Sequence, residues 1–322
     1  MNLPRAIERS GPSKRVGAWR LFVVLFIGFA PALLSAAEES RVPRHAFTVE
    51  RNVVYDVAGD TSLKADIYLP TKRPAKLRPG VLMIHGGAWM SGSKFNVAAH
   101  AMRLARSGYV VMAIDYRLAP KFKFPAQLED CTAALTWFAS NAAKYETDTK
   151  RLAIYGYSAG GHLACLLGLK AAQDPIEAKG TDGVKLCAIV AGGAPCEFRG
   201  IPKQSNALVY WLGGTREDVP DQYRDASPTT FVSKDAPPVF FFHGDQDKIV
   251  PLRSPEALRT LLKKQKTSVE MMVIKDCGHM GAFFDGQAMD AARKFLDTQL
   301  KSSNPPKDDA EQDSAIALPQ SQ

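Results

Sequence analysis

Arg151-Leu152-Ala153-Ile154-Tyr155-Gly156-Tyr157-Ser158-Ala159-Gly160-Gly161-His162-Leu163-Ala164-Cys165-Leu166-Leu167-Gly168-Leu169 decides how the rest of the chain is read. Arg151–Tyr155 reads as a buried strand and Gly161–Leu169 as an apolar helix. Between them Ser158 sits in a Gly-x-Ser-x-Gly frame. A chain that turns so sharply needs small residues two positions before and two after the serine, and the serine Oγ is left exposed at the sheet edge. Gly156 and Gly160 supply them. Small-residue turns are common, so the frame gains weight from its strand–turn–helix setting and from three further segments in a fitting order.

The second segment is Val81-Leu82-Met83-Ile84-His85-Gly86-Gly87-Ala88-Trp89, an apolar strand running into a His-Gly-Gly turn. Such backbone can aim N–H groups into a cavity. Acyl transfer passes through a tetrahedral oxyanion, and each fixed donor aimed at it contributes about 3 kcal/mol. Backbone N–H groups within Gly86-Gly87-Ala88 are assigned that role, Gly87 and Ala88 above all, with the N–H of Ala159 completing the hole.

The third segment, Pro238–Pro251, is an apolar run ending in a polar turn with two carboxylates, Asp245 and Asp247. The fourth, Met271–His279, is another strand ending in a loop histidine. A serine hydroxyl needs an imidazole to take its proton, and the imidazole needs a carboxylate to fix its tautomer. His279 is read as the base and Asp247 as its acid. Asp245 follows the strand at once and competes for that role; its other use is to hold the turn by bonding backbone N–H groups. His85 is expected to brace the oxyanion loop and His243 to stabilise its own turn. His45, His100 and His162 carry no assigned chemistry.

The order Ser, Asp, His is that of the α/β-hydrolase triad. The chain resembles α/β-hydrolase esterases and lipases, close to the hormone-sensitive-lipase-like and feruloyl/acetylxylan esterase-like branches. The likeness rests on His85–Trp89, Asp115-Tyr116-Arg117-Leu118-Ala119-Pro120, Gly156–His162, Ala226-Ser227-Pro228, His243–Asp247 and Gly278-His279, and spans roughly residues 50 to 300. One departure is Ala88, where the oxyanion loop often has a third glycine; its methyl group restricts the backbone and narrows the acyl site. The resemblance implies a serine esterase working through an acyl-enzyme, without metal or organic cofactor, on acetyl, feruloyl or other short acyl esters of small molecules or polysaccharide. Two rivals stand beside it. A peptidase of the prolyl-oligopeptidase type usually carries a large extra N-terminal domain, and Arg41–Gly80 is too short for one. A non-catalytic binding module usually lacks a triad member.

The surrounding chain alternates short apolar runs with helix-length stretches. A hairpin of Asn52–Ala58 and Leu63–Leu69 opens it. Strands follow at Val81–Ile84, Tyr109–Asp115, Leu152–Gly156, Val184–Val190, Val239–His243 and Val269–Ile274. This is the pattern of an α/β fold: a mostly parallel eight-stranded sheet with helices on both faces. Helices are expected at Ala126–Tyr145, Ser254–Lys266 and Gln287–Leu300, the last turning Met289, Ala292, Leu296 and Leu300 to the sheet. Pro195–Ser227, with few core signals but Phe198, Tyr210, Trp211 and Tyr223, is read as a small lid insertion over the acyl or leaving-group side, with plain surface structure as the alternative. Trp89 and Tyr157 flank catalytic positions, and each suits either ring contacts with substrate or core packing.

The ends bear on location. Five basic residues precede the apolar run Leu21–Leu34 and Ser35-Ala36-Ala37, so residues 1–37 read as a signal peptide of a secreted or periplasmic protein, with an uncleaved anchor as the alternative. Residues 38–300 form one catalytic domain, and 301–322, with Pro305-Pro306 and Asp308-Asp309, a disordered tail. The net charge of +8 falls to +4 once the five Lys/Arg and one Glu of the leading 37 residues are set aside. That balance, without a basic stripe, argues against a nucleic-acid partner. Five cysteines leave at least one unpaired, and none has metal-ligand spacing.

Overall fold

Residues 45–301, apart from Arg73, are described by the structure, a computed structural model. The signal-peptide and tail expectations fall outside them. Among the described residues no helix is long and apolar enough to cross a membrane.

The apolar runs become, in chain order, the strands of one sheet: β1 (Phe47–Ala58), β2 (Thr61–Pro70), β3 (Arg78–Ile84), β4 (Val110–Ile114), β5 (Thr147–Tyr157), β6 (Leu186–Gly192), β7 (Val239–Gly244) and β8 (Val269–Ile274). Between them lie α1 (Ala98–Arg106), α2 (Ala126–Ser140), α3 (Ala159–Gln173), the short α4 (Val209–Leu212) and α5 (Pro220–Asp225), then α6 (Arg253–Lys264), α7 (His279–Phe284) and α8 (Gly286–Lys301). The spatial order is β1-β2-β4-β3-β5-β6-β7-β8. The β1–β2 and β2–β4 pairs are antiparallel and the rest parallel. This is the α/β-hydrolase architecture expected from the resemblance.

Successive side chains of a strand point to opposite faces. In β3, Val81 and Met83 join a core layer with Leu104 of α1 and Phe295 and Leu296 of α8. Leu82 and Ile84 join the other, with Leu135 of α2 and Leu163 and Leu166 of α3. Burial on both faces explains why β3 and β4 read as unbroken apolar runs rather than alternating ones.

Several boundaries differ from expectation. β6 begins at Leu186, because Val184 instead forms an antiparallel bridge with Ile176. α2 stops at Ser140, where the Asn141 side-chain amide turns back to the Trp137 carbonyl oxygen at 2.8 Å. In α8 the inward face runs Ala288, Ala292, Phe295, Leu296 and Leu300, leaving Met289 half-buried. The 195–227 insertion is seated in the core: Phe198, Trp211, Leu212 and Tyr223 are all buried in the layer that holds α2 and α3. The edge-strand end of the domain is equally well tied. The His45 N–H bonds the Arg106 carbonyl at 2.7 Å, and Lys301 Nζ bonds the Ser107 carbonyl at 2.7 Å.

Candidate active site

Ser158 follows β5 and caps α3 with φ 55° and ψ −121°, a region that non-glycine residues seldom occupy. The surroundings hold it there. A Cβ on Gly156 would lie 2.1 Å from the Gly160 carbonyl oxygen, and one on Gly160 would lie 2.1 Å from that of Ile84. Both positions must be glycine for the turn to close. The Ser158 N–H is bound by the Gly192 carbonyl at 2.8 Å, which ties the elbow to the end of β6.

His279 opens α7 and Asp247 lies in the loop after β7. The parallel sheet carries all three to its C-terminal edge, though 121 residues separate His279 from Ser158 and 32 separate it from Asp247. His279 Nε2 accepts the Ser158 Oγ–H at 2.9 Å, and its Nδ1–H donates to Asp247 Oδ2 at 2.6 Å. Oδ1 of Asp247 accepts the backbone N–H groups of Ile249 and Val250 at 2.9 and 2.8 Å. Burial works against a charge on this carboxyl, but the bonds from His243, His279 and the Val250 N–H outweigh it and hold it well below the usual carboxylate range. Asp245 takes the other role weighed for it: its Oδ1 accepts the Cys277 N–H at 3.2 Å and ties the two loops together.

The Gly86–Trp89 loop presses on the elbow. A Cβ on Gly86 would stand 2.8 Å from the Tyr157 carbonyl oxygen and 3.1 Å from Ser158 Cβ. Gly87, Ala88 and Trp89 all have positive φ, at 125°, 50° and 58°. The Gly87 carbonyl points back into the loop, accepting the N–H groups of Met90 and Ser91, each at 3.0 Å. Among the described residues the N–H groups of Gly87, Ala88 and Ala159 donate no hydrogen bond within the protein, which leaves them free for an incoming oxygen.

Trp89 and Tyr157 take the packing role of the two weighed for them. Trp89 is 4 % exposed; its Nε1–H donates to His162 Nδ1 at 3.1 Å, and its ring stacks on Trp211. Tyr157 is 3 % exposed and its hydroxyl donates to the backbone carbonyl of His279. Neither ring has surface to offer a substrate. Both hold the machinery from behind.

Sequence reasoning left other supports unassigned. His162 Nε2–H donates to the Ala226 carbonyl at 2.7 Å, so one imidazole joins the oxyanion loop, α3 and the insertion. Burial pushes His162 down to about 4, and the ring stays neutral. The Asp115–Pro120 motif is scaffolding too. Asp115 grips Lys94 through its backbone N–H at 2.8 Å and its Nζ at 2.6 Å, and the Ala119 N–H bonds the Trp89 carbonyl at 2.9 Å. Tyr116 stacks on His85 at 4.2 Å, and His85 Nδ1–H bonds the Gly86 carbonyl at 2.7 Å, which bears out the brace. His100 supports α7, donating from Nε2 to the Phe283 carbonyl at 3.0 Å. For His85 and Asp115 the place just after an apolar run was the available signal; His100 and His162 lie within helices, and their partners depend on strand order.

Comparison with known proteins agrees with the fold. The family model BD-FAE matches residues 65–262. Esterase LipC of Mycobacterium tuberculosis is 30% identical over 247 residues, covering 73% of this chain and 60% of its own length. This chain therefore spans less than two thirds of that relative. Bovine (Bos taurus) arylacetamide deacetylase is 34% identical over 154 residues, 46% of this chain and 39% of that protein. Among solved structures, a truncated carbohydrate esterase from gut microbiota superposes with a TM-score of 0.69 at 26% identity, covering 80% of this chain and 98% of that one. With that family's model spanning more than half of the chain, the chain belongs to the BD-FAE family of α/β-hydrolases.

Proposed function

We propose that the protein is a serine carboxylic-ester hydrolase acting through an acyl-enzyme on short acyl esters, acetyl or feruloyl, of small molecules or polysaccharide. The observation that carries the reading is the unbroken run of hydrogen bonds from Ser158 Oγ through His279 to Asp247, beside a loop with unused N–H donors. His279 takes the Ser158 proton as Oγ attacks the ester carbonyl, and the resulting oxyanion is held by the N–H groups of Gly87, Ala88 and Ala159. His279 then protonates the departing alcohol. Water, activated by the same imidazole, releases the acid and restores Ser158. Asp247 keeps its charge throughout, orienting His279 and stabilising the imidazolium.

The relatives named esterase and the neighbour titled carbohydrate esterase support the ester and the carbohydrate readings. The sequence of residues 1–37 supports export, with cleavage after Ala37 and a domain working outside the cytoplasm; the N-terminal mass of the protein recovered from its producing cells tests this.

The function is tested on the purified chain with Ser158→Ala as control, across p-nitrophenyl acetate to laurate, methyl ferulate, acetylated xylan and a prolyl-amide peptide. Short-ester turnover that disappears in the variant is the expected result. Amide cleavage without esterase activity, or no Ser158-dependent turnover, would overturn it.

A further inference from the structure

Asp247 is held by more than its base. Oδ2, which receives the His279 Nδ1–H at 2.6 Å, also lies 3.2 Å from Nε2 of His243, the residue four positions earlier at the end of β7. The same Nε2 stands 2.8 Å from the Val250 carbonyl oxygen. Both neighbours of this nitrogen are acceptors, so Nε2 carries the proton and donates to the two of them. Nδ1 of His243 is buried with no partner. Val250 closes the arrangement, its N–H on Oδ1 and its carbonyl on His243. Four N–H groups thus converge on one carboxylate, two of them imidazole.

We propose that His243 is a positioning residue of the triad: by donating from Nε2 to Oδ2 it fixes the rotation of the Asp247 carboxylate and so the tautomer and placement of His279. The inference rests on the Ser158 chemistry proposed above. His243 touches neither substrate nor the reacting atoms; it acts through Asp247. A carboxylate bonded only at Oδ1 and by one imidazole keeps freedom to rock about its last bond. The second imidazole removes it.

Two kinds of variant test this. His243→Leu and His243→Asn remove the donor at the Nε2 position, whereas His243→Gln keeps an N–H of similar reach. Each is assayed for kcat, KM and the pH profile of p-nitrophenyl acetate hydrolysis, and each is examined by proton NMR for the low-field resonance of the His279 Nδ1–H. Tyr157, Cys277, Asp245 and Asp285 are titratable groups in the surroundings of the pair, and no variant alters them. Loss of a hydrogen bond to a charged group predicts a fall in kcat of about 10- to 100-fold for Leu and Asn. KM should stay nearly constant, the acid limb of the profile should move, and the low-field proton should shift or broaden. Gln should restore most of the rate and the resonance.

Wild-type kcat and an unmoved proton in Leu or Asn would overturn the proposal. So would a loss in Gln equal to that in Leu, with both folded by circular dichroism. Should Leu fail to fold, Asn decides. Should the wild-type chain show no Ser158-dependent turnover, the functional reading fails while the proton resonance still judges His243.

Discussion

Trp89 lies flat on Trp211, with ring centroids 3.8 Å apart and planes 1° from parallel. The oxyanion loop is thereby bolted to the insertion that crosses it, and Tyr210 adds a hydroxyl bond to the Ala88 carbonyl at 3.0 Å. The insertion is thus packed against the loop through a ring stack and a hydrogen bond. Trp211→Ala should destabilise the fold by about 3–5 kcal/mol through the cavity it leaves. It should also lower kcat, because Trp89 loses the surface that holds its loop. A thermal melt and steady-state kinetics on the variant check this; a loss of stability with kcat intact would separate the insertion from the chemistry.

The two carboxylates of the β7 loop have separate partners, His279 for Asp247 and the Cys277 N–H for Asp245. Asp247→Asn offers His279 the wrong hydrogen-bonding group, and kcat should drop by about 10³- to 10⁴-fold. Asp245→Asn keeps a carbonyl oxygen for the Cys277 N–H and should leave kcat near the parent value. Parallel assays of the two variants distinguish these outcomes directly.

Ala88 occupies the left-handed region at φ 50°, where a Cβ is opposed by the neighbouring carbonyl. Ala88→Gly removes that opposition, offset by the greater freedom of glycine in the unfolded chain. The net gain should be about 0.5–1 kcal/mol, read from chemical denaturation. The missing methyl group should also raise activity on longer acyl chains relative to acetate, measured across the p-nitrophenyl series.

Three buried imidazoles, His85, His100 and His162, are each pushed down to about 4 by desolvation. In the unfolded chain they titrate near about 6.5. The fold favours their neutral forms, so their contribution is whole above about pH 6.5. It is lost as the pH falls towards 4, because the unfolded chain takes up protons that the folded one refuses. Each ring accounts for up to about 3 kcal/mol over that interval. Thermal melts should therefore show Tm dropping through this window. His162→Gln should start lower, having lost its ring packing, and should fall less steeply.

Much of this molecule is legible from short-range pattern. β7 and β8 stand where apolar runs end in polar loops, and the elbow declares itself because Gly156 and Gly160 answer a local steric demand. Ser158, Asp247 and His279 stand out as reactive types at strand ends, although Asp245 and His243 share the β7 end with Asp247 and the pattern alone does not separate them. What the chain does not advertise are partnerships across the sheet. His162 looks like any helical histidine until α3 lies between Trp89 and Ala226. Val184 looks like a strand residue until Ile176 claims it. The insertion reads as loose because its aromatics are scattered along the sequence, yet Phe198, Trp211 and Tyr223 converge on one core layer once β6 and β7 are paired. For His162 and the insertion the deciding contacts join residues far apart in sequence, and for Val184 the bridge to nearby Ile176 breaks the strand's register, neither of which periodicity can report.

His45 and Lys301, close to where the described chain starts and stops, both fasten to the turn after α1, at Arg106 and Ser107. That turn leads into the start of β4, and Ser158 stands beyond the end of β5, at the opposite edge of the sheet. Anything joined to the domain through either end therefore meets it at the pole away from the triad. An attachment there leaves the mouth of the site turned outward, and the two neighbouring ends invite circular permutation as a direct test.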